Sequence, residues 1–343
     1  MKILITGGCG FVGSSISLYL NRKLNNSTIY TLDNFSRKGS RIHHKRLISE
    51  KIKNFNINIV DHKKIMKLPK FDLVVDCCAE PAVSDSIKKP RKVFNTNLVG
   101  TYNIINKCIK DNSYLIFLSS SRIYSIKSLS KNISADGSIK KNIKKYLINE
   151  SFDTRSPKSL YGFTKLASEE LINEFNYSHK LKYIINRFGV ISGPWQFGYE
   201  DQGFVSLWVI NHFLKKKMKY IGFKGTGNQS RDVIHIDDVC DLIFQQIKKR
   251  KKIFNITFNA GGGLNNLISL KNLTKLCNEI TGNIISFKKE KKTSLFDIPI
   301  YLTDNTKVTK YYKWKPKHTI KDIVKDIYNW SKENKTILNK LFK

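Results

Sequence analysis

The sequence predicts an α/β protein, a doubly wound parallel sheet followed by a smaller C-terminal lobe, and three observations predict it. Short, almost wholly apolar runs alternate with stretches of helical period, the pattern of parallel strands covered on both faces. The first of those runs, Ile3-Leu4-Ile5, breaks into glycines and then opens an apolar-periodic segment through Val12, Ile16 and Leu20. After the sixth run the composition changes, with glycines, aromatics and polar residues mixed from Gly189 to Phe197. The lobe change belongs there. The expected division is 1–188 for the sheet domain, with a segment near 230–260 returning to it, and 189–343 for a lobe that binds substrate.

The first element is a buried strand, a tight turn and a helix start within Ile3 to Gly13. Gly7, Gly10 and Gly13 stand three apart. Glycine permits a sharp turn and close backbone approach, so a pyrophosphate can rest on free N–H groups at the positive end of the helix. Glycine turns are common, and the spacing gains weight from its place between strand and helix. It gains more from Asp33, which closes the next run, Thr28 to Leu32, about 20 residues on. A carboxylate there accepts hydrogen bonds from an adenosine ribose and repels a 2′-phosphate. NAD is therefore favoured over NADP. Arg37 and Lys38 follow closely and leave open a neutralised turn aspartate.

Phe55 to Val60 is the third expected strand, ending at Asp61-His62, and Phe71 to Cys78 the fourth, ending in Ala79-Glu80-Pro81-Ala82. A helix after Pro90 leads through Asn95-Thr96-Asn97 into Ile104-Ile105. The fifth strand, Tyr114 to Leu118, runs directly into Ser119-Ser120-Ser121-Arg122. Ligands of such sheets bind beyond the carboxyl ends of the strands, where these polar residues collect. From Ser125 to Phe152 the chain is lysine-rich without a clear period, which predicts a surface insertion near the site, either a mobile flap or an inert loop. A helix follows from Lys158, then a sixth strand over Tyr183 to Asn186. The last helix carries Ile320, Ile323, Val324, Ile327 and Trp330 at amphipathic spacing.

Tyr161 and Lys165 are four apart on the helix after Lys158, so both side chains project from one face. An ammonium one turn from a phenol stabilises the phenolate and makes it a usable base. Spacing alone proves little: Tyr19/Lys23, Tyr220/Lys224, Tyr311/Lys315 and Tyr328/Lys332 share it and read as surface or packing pairs. What singles out Tyr161 is its place in Ser159-Leu160-Tyr161-Gly162-Phe163-Thr164-Lys165, downstream of the serine cluster. A hydroxyl from that cluster can hold the substrate oxygen whose proton the tyrosine removes. The plainer reading of those serines is a turn or a helix cap.

Composition bounds the rest. A chain of 343 residues, 41% of them hydrophobic, buries a substantial core. The six cysteines show no C-x-x-C pairing with histidine, so no metal site is expected and the thiols read as reduced and buried. The first strand begins at Lys2 and no 18-residue apolar run exists, so the expectation is a cytoplasmic protein with no membrane partner. The net charge of +34 is spread along the whole chain rather than clustered. That distribution reads as a solvated basic surface, with no nucleic acid expected as a partner.

With these motifs in place, the chain resembles the extended short-chain dehydrogenase/reductases, the nucleotide-sugar epimerase/dehydratase family, from Met1 to about Val239 and more thinly beyond. Asp33 to Gly39, Gln196-Phe197, Asp201-Gln202-Gly203 and Gly225 to His235 are similar to the CDP-sugar 2-epimerases of that family. The likeness implies a Rossmann fold, NAD that stays bound, and Ser120, Tyr161 and Lys165 as the catalytic set. It implies cofactor contacts from Gly7, Gly10, Phe11, Val12, Gly13, Asp33, Asn34, Arg37, Asp61, Ala79 and Asn97, besides Tyr161 and Lys165. In that set Asp61 would touch the adenine and Asn97 would buttress the site. Substrate contacts are implied for Glu80, Ser121, Arg122, Gln196, Gln202 and Arg231, the last on the nucleotide diphosphate, which suits a guanidinium. The implied partner is a nucleotide sugar, a CDP-sugar favoured, and the implied assembly a homo-oligomer.

The chain departs from the family in places. Ile123-Tyr124-Ser125 stands where members often have Val-Tyr-Gly, Asp76-Cys77-Cys78 replaces a usual histidine, and Val190 takes the place of a polar substrate contact. The family's 4,6-dehydratases carry an Asp-Glu pair directly after the catalytic hydroxyl, for proton transfers during elimination. Here those positions are Ser121-Arg122. Epimerisation by transient oxidation and re-reduction is therefore expected. A UDP-hexose 4-epimerase is the alternative sugar chemistry, and a non-catalytic NAD- or nucleic-acid-binding protein the alternative of another kind.

Overall fold

The computed structural model describes residues 1–131, 133–139, 142–199 and 202–342. They fall into two compact units. Met1–Ile123, Ser159–Arg187 and Val239–Phe258 form the first, and Tyr124–Lys158, Phe188–Asp238 and Asn259–Lys343 the second.

The chain opens with β1 (Lys2–Thr6), α1 (Phe11–Lys23), β2 (Thr28–Leu32), α2 (Ser40–Ser49), β3 (Lys53–Phe55), α3 (His62–Met66) and β4 (Leu73–Asp76). Two short helices, α4 (Asp85–Lys88) and α5 (Pro90–Phe94), lead through a π-helical turn, Asn95–Val99, into α6 (Gly100–Asp111) and β5 (Tyr114–Ser120). The second unit receives α7 (Ile126–Leu129) and β6 (Leu147–Ile148) before the chain returns for α8 (Leu160–His179) and β7 (Tyr183–Phe188). Next come β8 (Val190–Ser192), α9 (Phe204–Phe213), β9 (Met218–Ile221) and β10 (Ser230–His235), then α10 (Ile236–Lys249) and β11 (Ile256–Ala260). The chain ends with β12 (Leu267–Ser269), α11 (Leu270–Thr281), β13 (Phe287–Glu290), β14 (Ile300–Thr303), α12 (Thr306–Tyr312), α13 (Ile320–Glu333) and α14 (Lys335–Leu341).

The seven strands of the main sheet lie in the order β11-β7-β5-β4-β1-β2-β3, running outward from β1 in both directions. That is the doubly wound arrangement the alternation predicts. Ile3 pairs in parallel with Ile29 on one side and Leu73 on the other. Leu4, Val74, Leu115, Phe117 and Ile185 are fully buried, and Ile104, Ile105, Cys108 and Ile172 from α6 and α8 pack into the same core. Strands apolar on both faces need helices on both faces, which fixes the layering.

Two expectations differ from what the structure shows. The third strand is Lys53–Phe55, not Phe55 to Val60. Past Phe55 the chain turns: the Asn58 side chain accepts the Val60 N–H at 3.3 Å, and Asp61 caps α3 by accepting the Lys64 N–H at 3.1 Å. Asparagine and aspartate offered the backbone a local partner that outcompeted the ladder. Nor is Ser125 to Phe152 a plain surface insertion. Leu129 and Ile148 are buried, and β6 pairs in parallel with β14, Thr303 opposite Ile148. Residues 132, 140 and 141 of this stretch lie outside the described residues. The six cysteines are free; Cys77 and Cys78 are half-buried and the other four buried. Among the described residues no helix is long and apolar enough to cross a membrane.

In the second unit β10 lies between β12 and β14, with β8 also pairing to it. Helix α13 buries Ile323, Val324, Ile327 and Trp330, the stripe its spacing predicts. Asp232 of β10 is fully buried, accepts the Gly263 N–H at 2.9 Å, and burial pushes its carboxyl up to about 6. In the fold this carboxyl keeps its proton where the unfolded chain has lost it. Its contribution to stability is full below about pH 4 and is lost as pH rises through 6. A rise of about two units corresponds to about 3 kcal/mol. Asp232→Asn is therefore expected to gain stability over wild type at pH 7.5 and little at about pH 4, read by urea unfolding at both. An equal change at the two pH values would refute the assignment.

Candidate active site

The end of β1 builds an anion cradle. Gly7 takes a left-handed conformation, φ +59, and its carbonyl accepts the Gly10 N–H at 2.9 Å. A Cβ at Gly13 would stand 2.3 Å from the Gly7 oxygen, so glycine there is required for the helix to close on the turn. Gly10 is the N-cap of α1 and no side chain caps that helix. The N–H groups of its first turn, from Phe11, Val12 and Gly13, have no intrahelical acceptor and sit at the positive end of the helix dipole.

Asp33, just beyond β2, ties this turn to the next. Its carboxylate accepts the Cys9 N–H at 3.0 Å and the Phe35 N–H at 2.8 Å. Burial pushes the carboxyl above its usual range, and the two N–H bonds offset only part of that rise. Two bonds leave a carboxylate with lone pairs for ribose hydroxyls. The cradle, the uncapped helix and the carboxylate at the end of β2 fit a dinucleotide, with Gly10 open on the side away from the fold, since a Cβ there meets only the Gly7 oxygen at 3.1 Å.

The neighbouring loops are braced by ion pairs. Arg37 Nη1 lies 3.1 Å from Glu80 Oε2 and Lys92 Nζ 2.6 Å from Glu80 Oε1. Glu80, expected at the substrate, is buried with both carboxylate oxygens on cations, so here it joins the loop after β2 to the one after β4. Asn34 accepts the Ser36 N–H at 3.1 Å, and Ala79 is half-buried between Cys78 and Glu80. Asp61 caps α3, and the Lys64 N–H and ammonium hold its carboxyl below the usual range. Below the loops Thr6 Oγ1 donates to Asp76 at 2.5 Å and accepts the N–H groups of Cys77 and Cys78 at 3.1 Å each. That bracket pins the carboxyl ends of β1 and β4. Asp76, a carboxylate in an otherwise apolar run, was its sequence signal.

Helix α8 carries Tyr161 and Lys165. Ser159 caps it by accepting the Gly162 N–H at 3.2 Å, which places Tyr161 in the first turn, and Ser86 Oγ accepts the Tyr161 N–H at 3.1 Å. A Cβ at Gly162 would stand 2.0 Å from the Arg122 carbonyl oxygen. Glycine there lets α8 press against the turn that follows Ser120. Lys165 is 2% exposed; its Nζ donates to the Leu118 carbonyl at 2.8 Å and lies 4.4 Å from the Phe117 ring centre. Ser120 is half-buried at the end of β5, and its Oγ accepts the Arg122 N–H at 3.2 Å, which leaves the hydroxyl proton to donate. Ser121 is buried and Arg122 half-buried beside it.

Buried polar groups hold α8 in register. Asn97, in the π-helical turn, accepts the Glu80 N–H at 2.8 Å and donates to Thr164 Oγ1 at 3.1 Å, while its carbonyl accepts from Ser168 Oγ at 3.2 Å. One turn beyond Lys165, Glu169 accepts from Ser119 Oγ at 2.5 Å and pairs with Arg187 at 2.7 Å. Sequence reasoning missed Glu169 and Arg187, although a carboxylate four residues after Lys165 on the same helix face was the available signal.

The other expected substrate residues belong to the second unit. Gln196 Oε1 accepts from Ser192 Oγ at 2.8 Å and Ser206 Oγ at 2.6 Å, and its Nε2 donates to the Ile191 carbonyl at 3.1 Å. That amide is engaged by the fold. Gln202 is half-buried and bridges to Tyr199 through the backbone, and Asp201 lies outside the described residues. Arg231 is buried, donating to the Ile298 carbonyl at 2.6 Å and reaching Asp297 at 3.2 Å.

The pattern of the NAD dependent epimerase/dehydratase family matches residues 3–261. The chain is 28% identical to CDP-paratose 2-epimerase of Salmonella typhi, over 96% of this chain and 99% of that protein. It is 30% identical to dTDP-D-glucose 4,6-dehydratase of Dictyostelium discoideum over 76% of this chain and 58% of that protein, so the chain spans a little over half of it. Among solved structures, UDP-glucose 4-epimerase from Thermotoga maritima shares the fold at a TM-score of 0.80 and 24% identity, with 97% of this chain and 99% of that one covered. UDP-glucose 4-epimerase from Bifidobacterium longum, in complex with NAD+ and UDP, shares it at 0.81 and 20% identity, covering 98% and 99%. With most of its length matching that pattern, the chain belongs to the NAD dependent epimerase/dehydratase family and is an NAD-dependent isomerase.

Proposed function

We propose that the protein inverts one carbinol of a nucleotide-diphosphate sugar by transient oxidation and re-reduction, on a CDP-sugar at C2, as the name of its Salmonella typhi relative describes. The observation that carries this reading is the presence of Ser120, Tyr161 and Lys165 together, with Ser121-Arg122 directly after Ser120. Elimination needs an acid and a base for the leaving hydroxyl and the C–H proton. Neither Ser121 nor Arg122 supplies one. NAD, when bound in the cradle of Gly7 to Gly13, supplies the hydride acceptor and then the donor. Tyr161 takes the carbinol proton and later returns it. The buried Lys165 ammonium stabilises the phenolate, its head fixed by the Leu118 carbonyl. Ser120 donates its proton to the sugar oxygen and holds it in line. Exposed Phe94, Tyr102 and Phe163 support a homo-oligomer built through the first unit.

The test is turnover of the purified protein on CDP-paratose, CDP-tyvelose and UDP-hexoses in heavy water, with the inverted carbon located by NMR. Inversion at C2 of a CDP-sugar, with no deuterium at that carbon, is the expected result. Deuterium there would sink transient oxidation, because a proton exchanging with water would have carried the inversion. Inversion of a UDP-hexose at C4 with the CDP-sugars inert would replace the substrate and leave the chemistry.

A further inference from the structure

We propose that the two-stranded ribbon of the second unit is a docking surface for an anionic lipid bilayer, held by its lysines and by flanking aliphatic side chains. Strands β9 and β13 pair in parallel with Lys219 opposite Lys288 and Ile221 opposite Glu290. Residues two apart share a face of a strand, so these four form one face. The other face is packed: Met218 is buried and the Tyr220 ring stacks on Phe287 at 4.6 Å between centres. On the outer face two like charges stand directly across the ladder, an arrangement that weakens a sheet. An anionic surface laid over them removes that repulsion.

The surroundings extend the pattern. Lys215, Lys216 and Lys217 precede β9 and Lys291 and Lys292 follow β13, all exposed. Among the described residues none of Lys217, Lys219, Lys288, Lys291 and Lys292 has a carboxylate partner, and Glu290 is the only acid in 284–295. Ile284 is 87% exposed and Leu295 85%, the highest values of any large aliphatic among the described residues, and both flank β13. Ile221 adds a third apolar tip on the lysine face itself. Lysine stems over exposed aliphatics suit a headgroup region, where ammonium groups stay wet and the apolar tips enter the acyl boundary. A single-stranded nucleic acid would instead be gripped by free aromatic faces, and Tyr220 and Phe287 here are stacked on each other. The sequence expectation of no membrane partner rested on the lack of an 18-residue apolar run and on lysines spread along the whole chain; a peripheral contact needs no spanning run, and the fold gathers this set of lysines on and beside one ribbon.

The test is co-sedimentation of the full chain with phosphatidylcholine vesicles, with and without about 30% phosphatidylglycerol. Binding is expected only to the anionic vesicles, and it should fall steeply as salt rises above about 0.1 M. The double variant K219E/K288E should weaken it by about tenfold or more, while K67E/K70E, exposed lysines of the first unit, should leave it within about twofold. Leu295→Asp should also weaken binding, which separates apolar insertion from bulk charge. Epimerase turnover on free substrate should be unchanged in all of them. No binding to anionic vesicles, equal losses from K67E/K70E, or an inert Leu295→Asp would each overturn the proposal. So would duplex DNA or RNA that binds through the same lysines and displaces the vesicles.

Discussion

Tyr161→Phe is expected to lose turnover by roughly a hundredfold or more while keeping its fold and its NAD, the usual scale for removing a general acid–base. The substitution is clean because the fold makes no use of the phenol oxygen. Helix α8 is started by Ser159, the Tyr161 backbone N–H is held by Ser86, and the hydroxyl has no hydrogen-bond partner among the described residues. Lys165 offers no comparable experiment. Its ammonium is 2% exposed and bonded to the Leu118 carbonyl, so Lys165→Met would strip a structural contact together with the catalytic charge. Ser120→Ala should lose rate less completely than Tyr161→Phe, because the hydroxyl positions the sugar oxygen without carrying the proton away. Steady-state rates read beside nucleotide content separate these cases. Near wild-type turnover in Tyr161→Phe would place the base on another residue.

The main sheet was legible because its strands are apolar on both faces and its helices periodic; burial dictates both patterns, and both survive in the chain as written. The glycine cradle was legible for a related reason: only glycine tolerates a Cβ position 2.3 Å from a carbonyl oxygen, as at Gly13. Where side chains compete for backbone groups, the sequence misleads. Asn58 and Asp61 turned an expected strand into a turn and a helix cap. For Glu80, expected at the substrate, the carboxylate says nothing in sequence about which cations will reach it; in the fold they are Arg37, 43 residues before it, and Lys92, 12 after it. The same blindness hid Glu169 and Arg187, whose pairing needs α8 and β7 side by side. The segment after Ser125 joins a sheet through two residues of β6 only, too short a strand to leave an alternating pattern.

Gly10→Val is expected to yield a folded protein that purifies without NAD(H), against a wild type that carries it. The three glycines of the cradle do different work, and the geometry separates them. At Gly13 a Cβ would collide with the Gly7 carbonyl oxygen at 2.3 Å, and at Gly7 a side chain would be strained by the left-handed φ of +59 and would press on the Cys78 backbone at 3.0 Å, so valine at either place disturbs the turn itself. Gly10 has φ −86, open to any residue, and its Cβ would meet one atom, the Gly7 oxygen, at 3.1 Å. That contact asks for a shift of a few tenths of an ångström, and valine at an N-cap costs about 1 kcal/mol more. The fold should survive this. The cofactor should not, because the branched side chain occupies the approach to the uncapped N–H groups of Phe11, Val12 and Gly13, where a pyrophosphate would rest. Circular dichroism, an ultraviolet spectrum and nucleotide extraction read the three outcomes directly. The variant should also melt below wild type by more than its small cap penalty, since binding to the native state alone adds stability by mass action. A Gly10→Val protein that retains stoichiometric NAD(H) would remove the pyrophosphate from this cradle. A wild type that yields only NADP(H) would overturn the reading of Asp33 as a partner of the adenosine ribose hydroxyls.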